Sequence, residues 1–167
     1  MMNFRFLIKT IKSDYRINSR TSFLVLLFYR IQNYFHKRNM GILRKIMGGA
    51  ESIFFFLLRV DAQISYKAIL GNNIRFPHRA MGVVISPRAI VGNNVTIFHQ
   101  VTIGVNENQK HKRLEIGNNC YLSAGCKVIS CIVSENCKIA PNAVVYKNIP
   151  PNSLVFAVND IRSIKEL

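Results

Sequence analysis

An aliphatic residue recurs every six residues along most of the chain between Leu70 and Val145. A second small or apolar residue often follows four places after the first. Neither a helix of 3.6 residues per turn nor a plain alternating strand produces this pattern. We therefore predict an all-β solenoid, in which each short strand buries one aliphatic side chain before the chain turns a corner. The clearest positions of this repeat are Val91, Ile97, Ile103, Ile116, Leu122, Val128, Ile139 and Val145.

The first sixty residues follow a helical spacing instead. Apolar side chains in residues 23–35 recur at intervals of three and four, which predicts an amphipathic helix. Thr21 or Ser22 is the expected cap of this helix, and Gly41 is expected to follow its end. A second apolar helix is predicted over residues 42–60, with a weak point at its Gly-Gly pair.

These patterns divide the chain into three parts. Residues 1–60 are predicted to form amphipathic basic helices, and residues 61–158 are predicted to form the β-helix, with about five coils before Pro150 and Pro151. Residues 159–167 are expected to cap the open end of the solenoid, because such an end exposes core and strand edges.

The charge of the chain is strongly positive, with 23 Lys and Arg residues against 8 Asp and Glu residues and a formal net charge of +15. Before Asp61 stand 11 of the basic residues but only two acidic ones, Asp14 and Glu51. An excess of this kind favours anionic partners. No zinc-finger, helix-turn-helix or RNP1-like signature accompanies it, so nucleic acid is not an expected partner.

Two interpretations of the basic helices remain open. The helices either pack against the end of the solenoid or a neighbouring subunit, or they rest with a basic amphipathic surface on an anionic membrane. The apolar runs at 23–29 and 53–58 are much shorter than the roughly 20 residues of a membrane span. No secretory signal pattern is recognisable. We therefore expect a cytoplasmic protein, with the inner face of the cell membrane as the alternative location.

The four cysteines lack the CxxC spacing typical of metal sites. Cys120, Cys126 and Cys137 fall on inward positions of the six-residue repeat, which predicts small buried side chains. Cys120 and Cys137 are expected on adjacent coils, close enough for a disulfide, although a cytosolic setting favours free thiols. No metal site is predicted.

The first interruption of the repeat brings two histidines together. Phe76 and Ile85 are nine residues apart instead of six, so about three residues are expected to bulge just after His78. Phe76 and Ile97 should share a face on successive coils, and His78 and His99 each follow two residues later. The two imidazoles should therefore meet at one corner. Adjacent imidazoles disfavour the charged form, and a neutral imidazole is what a general base requires.

The second interruption separates Ile103 from Ile116 by thirteen residues. Its residues 105–115 are polar and basic and are predicted to protrude as a loop next to the histidines. Two interpretations stay open here. The loop is either a solvated excursion or a lid in which His111 and Arg113 contact an anionic cofactor or substrate.

Several stretches resemble a known family. They are Phe76-Pro77-His78, the segments VGNNVTIFHQVTIG and EIGNNCYLSAGCKV, and the segment APNAVVYKNIPPNSLV. Over residues 60–155 the chain resembles the serine-acetyltransferase-like branch of hexapeptide acyltransferases. Within that branch it looks most like the short colanic-acid and capsule O-acetyltransferases, which also have a short basic helical N-terminus.

The resemblance implies a homotrimeric left-handed parallel β-helix that binds acetyl-CoA between subunits. It implies that His78 is the general base, with His99 as its partner or as the base itself. It places acetyl-CoA along the coils, with its phosphates near basic side chains. The residues it implies for acetyl-CoA are Ser123, Ala124, Gly125, Lys127, Ala140 and Lys147.

The chain departs from true serine acetyltransferases at two positions. Gln63 stands where that family has an Asp, and Arg113 stands in place of a second His. Gln63, His111 and Arg113 are the candidate acceptor-binding residues. Because both departures affect the amino-acid site, we expect an O-acetyltransferase that acts on a sugar hydroxyl of a surface polysaccharide or its precursor. The alternatives are a serine O-acetyltransferase of cysteine biosynthesis and a non-catalytic trimeric β-helical scaffold.

Overall fold

The computed structural model describes residues 4–109 and 112–157, which form three helices followed by thirteen short strands. All strand pairs are parallel, and the strands lie in three sheets that wind around one aliphatic core. The predicted β-helix with an N-terminal helical part is therefore confirmed. The helices are α1 (Phe4–Ile17), α2 (Arg20–Lys37) and α3 (Gly41–Leu58).

Each strand is only two or three residues long. The strands are β1 (Gln63–Ile64), β2 (Ile69–Leu70), β3 (Val84–Ile85), β4 (Ile90–Val91), β5 (Thr96–Ile97), β6 (Thr102–Gly104), β7 (Glu115–Ile116), β8 (Tyr121–Leu122), β9 (Lys127–Ile129), β10 (Ile132–Val133), β11 (Lys138–Ile139), β12 (Val144–Val145) and β13 (Leu154–Val155). Sheet A has the order β1-β3-β6-β9-β12, sheet B the order β10-β7-β4-β2, and sheet C the order β13-β11-β8-β5.

The aliphatic residue of every six-residue repeat is buried, as the pattern predicted. Leu70 pairs with Val91 and Ile85 pairs with Ile103, so equivalent side chains stack on successive coils. The solenoid has about four turns rather than the predicted five. The two interruptions explain the difference, because the coil that ends at Val91 takes 21 residues and the coil that ends at Ile116 takes 25.

A column of asparagines stabilises the corner between sheets B and C. The side-chain amides of the first four donate to the side-chain oxygen of the asparagine on the next coil, with N–O distances of 2.8–3.1 Å. All five residues adopt a left-handed backbone with φ of 55–59°. Asparagine tolerates this conformation better than most residues because its short side chain can form local hydrogen bonds. The column consists of Asn73, Asn94, Asn119, Asn136 and Asn152.

The helical part differs from the prediction in three respects. Helix α1 was not predicted as a separate element, and it buries Leu7, Thr10 and Asp14. The cap of α2 is Ser19, whose hydroxyl accepts from the backbone N–H of Ser22. Gly41 begins α3, which continues through its Gly-Gly pair without a break.

Helices α1 and α2 cover the first coil of the solenoid. Arg30 donates to the Asp14 carboxylate at 3.0 Å and to the carbonyl oxygens of Leu70 and Gly71 at 2.8 and 2.6 Å. The other oxygen of Asp14 accepts from the backbone N–H of Ile74. Both charged side chains are almost fully buried. These bonds show that the interpretation of α2 as a packing helix is correct.

Two neutral side chains of α2 complete this cover. The Tyr29 hydroxyl donates to the carbonyl oxygen of Ala68 at 2.8 Å and accepts from the N–H of Leu70 at 3.1 Å. Asn33 donates to the carbonyl oxygens of Tyr66 and Ala68. In the middle of the solenoid, such backbone groups bond to the preceding coil. At its end, the side chains of α2 satisfy them instead. Within the described ranges, no helix is long and apolar enough to cross a membrane.

The four cysteines are buried and free, as predicted. Burial raises the pKa of the Cys120 thiol to about 11 and that of the Cys126 thiol to about 12. Among the residues that the structure describes, no three His, Cys, Asp or Glu side chains are grouped to hold a metal ion. The predicted C-terminal cap at 159–167 lies outside the described residues.

The buried Arg30 gives a direct test of this cover. In an Arg30→Met variant the Asp14 carboxylate and two carbonyl oxygens lose their donor, so we expect the free energy of unfolding to fall by about 3–5 kcal/mol. The matched control is Arg20→Met, an exposed arginine of the same helix, which should change it by less than about 0.5 kcal/mol. Urea denaturation measures both, and equal stability of the two variants would contradict the proposed cover.

Candidate active site

The two histidines lie where the chain passes from sheet C to sheet A. This corner, here called the histidine corner, comprises residues 77–83, 98–101, 123–126 and 140–143 on successive coils. The ring centroids of His78 and His99 are 4.9 Å apart, with an angle of 80° between the ring planes. The expected meeting of the two imidazoles is therefore observed. Their catalytic role stays a prediction.

The two imidazoles differ in exposure and hydrogen bonding. His78 is exposed and lies at the outer edge of the corner, whereas His99 is half-buried. Nδ1 of His99 is buried and has no hydrogen-bond partner in the described part of the chain. An unpartnered buried nitrogen is costly, so it marks a place where a substrate group or a water molecule would be held.

His78 is presented by a strained turn. The turn Pro77–Ala80 contains three consecutive non-glycine residues in the left-handed region, with φ of 54° at His78, 64° at Arg79 and 56° at Ala80. Such a backbone persists only where its surroundings hold it, and it is typical of functional sites. The bulge of about three residues that was predicted just after His78 coincides with the end of this turn.

Neighbouring segments hold the turn from two sides. Arg79 donates to the carbonyl oxygen of Leu58 at the end of α3, at 2.8 Å. The backbone N–H of Gly82 donates to Oδ1 of Asp61, also at 2.8 Å. On the following coil, the N–H of Gln100 donates to the carbonyl oxygen of Met81. The turn is thus attached to the coil below it and to the segment that leads out of α3.

An aromatic row forms one side of the histidine corner. The Phe98 ring lies 5.8 Å from the His78 ring and 5.1 Å from the Tyr121 ring, measured between centroids. The ammonium group of Lys138 lies 5.1 Å from the centre of the Tyr121 ring. This row gives the exposed His78 an apolar neighbour that limits the access of water from that side.

Four of the residues predicted for acetyl-CoA lie at the histidine corner. The N–H of Gly125 donates to the carbonyl oxygen of His99 at 3.0 Å, so 123–125 lie one coil beyond this histidine. Ala140 follows at the next coil. Gly125 has φ of +71°, and a Cβ there would collide with the side chain of Asn142. The side chains here are small, and the family resemblance places the pantetheine arm of acetyl-CoA along them.

The two predicted lysines have different surroundings. Lys127 begins β9 directly after the histidine corner, and its ammonium group donates to the carbonyl oxygens of Gln100 and Gly125 at 2.9 and 2.7 Å. It therefore stabilises the corner itself. Lys147 lies at the corner between sheets A and B, beside a cavity of about 430 Å³ that Arg113 also lines. Within one chain, the structure does not bring Lys147 to the histidines.

The predicted acceptor-binding residues are likewise dispersed. Arg113 is exposed and pairs with Glu115 at 2.6 Å, at the same corner as Lys147. Gln63 lies on β1, opposite Val84, and lines a separate cavity of about 510 Å³. His111 lies outside the described residues. Within a single subunit, neither Arg113 nor Gln63 contacts the imidazole of His78 by any described hydrogen bond or ion pair.

Sequence reasoning missed three residues of the site: Asp61, Arg79 and Phe98. The length of the first coil could have identified two of them, Asp61 and Arg79. The first coil is 21 residues long, and both Asp61 with Gly82 and Leu58 with Arg79 are 21 residues apart. Counting back one coil from the bulge would therefore have identified the groups that hold it.

The comparisons with known proteins agree on one type of enzyme. No protein-family model matches the chain. Serine acetyltransferase of Helicobacter pylori (strain ATCC 700392 / 26695) is 33% identical over 130 residues, which are 77% of this chain and 72% of the relative.

Two solved structures extend the comparison. Serine acetyltransferase of Neisseria gonorrhoeae in complex with serine aligns with a TM-score of 0.76 at 24% identity, over 92% of this chain and 67% of that one. A serine acetyltransferase in complex with CoA aligns with a TM-score of 0.66 at 24% identity, over 81% of this chain and 54% of that one. At this identity the two structures support the fold alone.

These findings correct one expectation. The predicted transfer to a sugar hydroxyl of a surface polysaccharide is wrong, because the relatives are named serine acetyltransferases. The narrower resemblance to the colanic-acid and capsule branch and the glycan acceptor are likewise not supported. The predicted type of hexapeptide acyltransferase is confirmed, and so is acetyl-CoA as the cosubstrate.

Two glycine substitutions test the geometry of the corner. Gly125→Ala places a Cβ against Asn142 at a positive φ, so we expect the free energy of unfolding to fall by more than about 1 kcal/mol. The same substitution at Gly49 meets open space inside α3 and should raise it by about 0.5–1 kcal/mol. Chemical denaturation gives both values. A gain of stability in Gly125→Ala would be incompatible with the described turn.

Proposed function

The chain belongs to the serine acetyltransferase family, and from this premise we propose that it transfers an acetyl group from acetyl-CoA to the hydroxyl group of serine. The chain spans 72% of the Helicobacter pylori relative and smaller shares of longer family members, such as 55% of the one from Mycobacterium tuberculosis. The observation that carries the proposal is the pair of imidazoles at the histidine corner, 4.9 Å apart.

His78 acts as the general base in this proposal. Its exposed imidazole accepts the proton of the serine hydroxyl, whose oxygen then forms a bond to the acetyl carbon of acetyl-CoA. The carbon–sulfur bond breaks, and CoA leaves as a thiol with the proton that His78 returns. His99 is the second imidazole of the pair, and its ring lies beside that of His78, where it would help to orient the base.

Two charged residues beside the bulge suit the zwitterionic part of serine. Asp61 is exposed and uses Oδ1 for Gly82, which leaves its other oxygen for an ammonium group. Arg79 follows His78 directly and uses Nη2 for Leu58, which leaves further N–H donors for a carboxylate. Asp61 lies two residues before Gln63, so it offers a carboxylate near the place where the family has its Asp. Asp61 thereby answers the departure at Gln63.

The proposed active assembly is a homotrimer, which the family resemblance implies. The position of Arg113 and Lys147 supports it, because they lie at a different corner from His78 within one chain. These cations come near the histidine corner only if they belong to a neighbouring subunit. There they would meet the phosphates of acetyl-CoA or the carboxylate of serine.

The imidazole pair is tested by three matched substitutions. His78→Asn and His99→Asn should each lower kcat for O-acetylserine formation by about 10²–10⁴-fold, because the proton acceptor or its partner is lost. His36→Asn is the control, since His36 is exposed on α2 and contacts the Tyr66 ring edge-on, away from the corner. The assay follows thiol release from acetyl-CoA with serine present. If both corner variants keep the wild-type rate, the assignment is wrong.

The proposed role of Asp61 predicts a different kinetic signature. Asp61→Asn keeps an acceptor for the Gly82 N–H but removes the negative charge, so KM for serine should rise about tenfold or more. KM for acetyl-CoA and the melting temperature should stay near the wild-type values. Steady-state kinetics with each substrate varied in turn separates these effects. An unchanged KM for serine would exclude Asp61 as the ammonium-binding group.

A further inference from the structure

The outward side of α3 is apolar along its whole length. By helical spacing, positions 42, 46, 49, 53, 56 and 57 lie on one side of this helix. Ile42 is 78% exposed and Phe56 is 83% exposed, and each apolar side chain of the group is more than 40% exposed. We call this surface the α3 apolar face. It consists of Ile42, Leu43, Ile46, Ile53, Phe56 and Leu57.

The opposite side of α3 is the one that contacts the rest of the protein. Phe55 packs on Phe28 of α2 with ring centroids 6.0 Å apart. Gln32 of α2 donates to Glu51 at 2.8 Å, and Arg44 stacks on the ring of Tyr66 at 4.3 Å. No residue of α3 is fully buried. The helix therefore binds through one side only, and the apolar face points away from the described part of the chain.

The charges around the apolar face have one sign. Glu51 is the only carboxylate of α3, and it points towards Gln32 on the inner side. Exposed cations flank the face at both ends of the helix, with Lys37 and Arg38 before it and Arg59 after it. Lys45 is exposed within the first half of the helix. An apolar surface flanked by these cations complements a surface that is apolar inside and anionic outside.

We propose that the α3 apolar face lies in the headgroup region of an anionic lipid bilayer. The helix has 18 residues and does not qualify as a membrane span, so it would lie in the plane of the bilayer surface. A second copy of the chain is a poorer occupant, because it would bring the same flanking cations together. An anionic bilayer supplies the opposite charge to the cations and an apolar layer to the side chains. This inference does not depend on the proposed function.

A single tryptophan reports on this surface, since the chain contains none. Phe56→Trp introduces the probe on the apolar face, and Phe156→Trp introduces it at an exposed site near the other end of the solenoid. With vesicles of phosphatidylcholine and phosphatidylglycerol, the emission of the Phe56→Trp protein should shift to shorter wavelength, and that of the Phe156→Trp protein should not. An unshifted Phe56→Trp spectrum, or equal shifts in both proteins, would overturn the proposal.

Paired polar substitutions provide the second measurement. Ile46→Ser/Ile53→Ser should weaken co-sedimentation of the full chain with these vesicles at least about tenfold, whereas the control Leu154→Ser/Phe156→Ser should bind like wild type. Vesicles of phosphatidylcholine alone should bind little, and salt should weaken binding to the anionic ones. Equal binding of both double variants would overturn the proposal. A different result would also overturn it: the wild-type protein does not bind vesicles, and the α3 variant forms a smaller assembly in sedimentation analysis. That result would identify the face as a contact between copies of the chain.

Discussion

The end of the β-helix is the constraint on which the rest of the structure depends. A coil inside the solenoid satisfies its backbone N–H and C=O groups with the coils on either side, but the first coil has a neighbour on one side only. Here the side chains of α1 and α2 replace the missing coil. Arg30 is central to this replacement, because it joins the Asp14 carboxylate to the carbonyl oxygens of Leu70 and Gly71.

This constraint explains the unusual distribution of polarity in the helical part. Helix α2 buries Arg30 and Asn33 because both side chains donate to backbone carbonyl oxygens of the first coil. Helix α3 shows the reverse arrangement, with its apolar side chains outward. The two helices together give the protein an inner surface that satisfies hydrogen bonds and an outer surface that needs a partner.

The same segment also reaches the histidine corner. The carbonyl oxygen of Leu58 accepts from Arg79, and Asp61 accepts from the N–H of Gly82, so the exit from α3 holds both ends of the strained turn around His78. Three consecutive left-handed residues need such external support. The geometry of the corner and the position of α3 are therefore linked by short hydrogen bonds.

The sequence by itself determined the solenoid. Each short strand must bury one aliphatic side chain in a narrow three-sided core, so an aliphatic residue recurs every six residues and the repeat can be seen in the sequence. It also determined that His78 and His99 meet, since counting residues between buried positions gives their register. Only the tertiary structure decided the roles of Asp14, Arg30, Asp61 and Arg79. These polar side chains act on backbone groups of distant segments, and such contacts follow no period along the chain. The outward side of α3 was hidden for the same reason, because which side of a helix faces the protein depends on what the helix packs against.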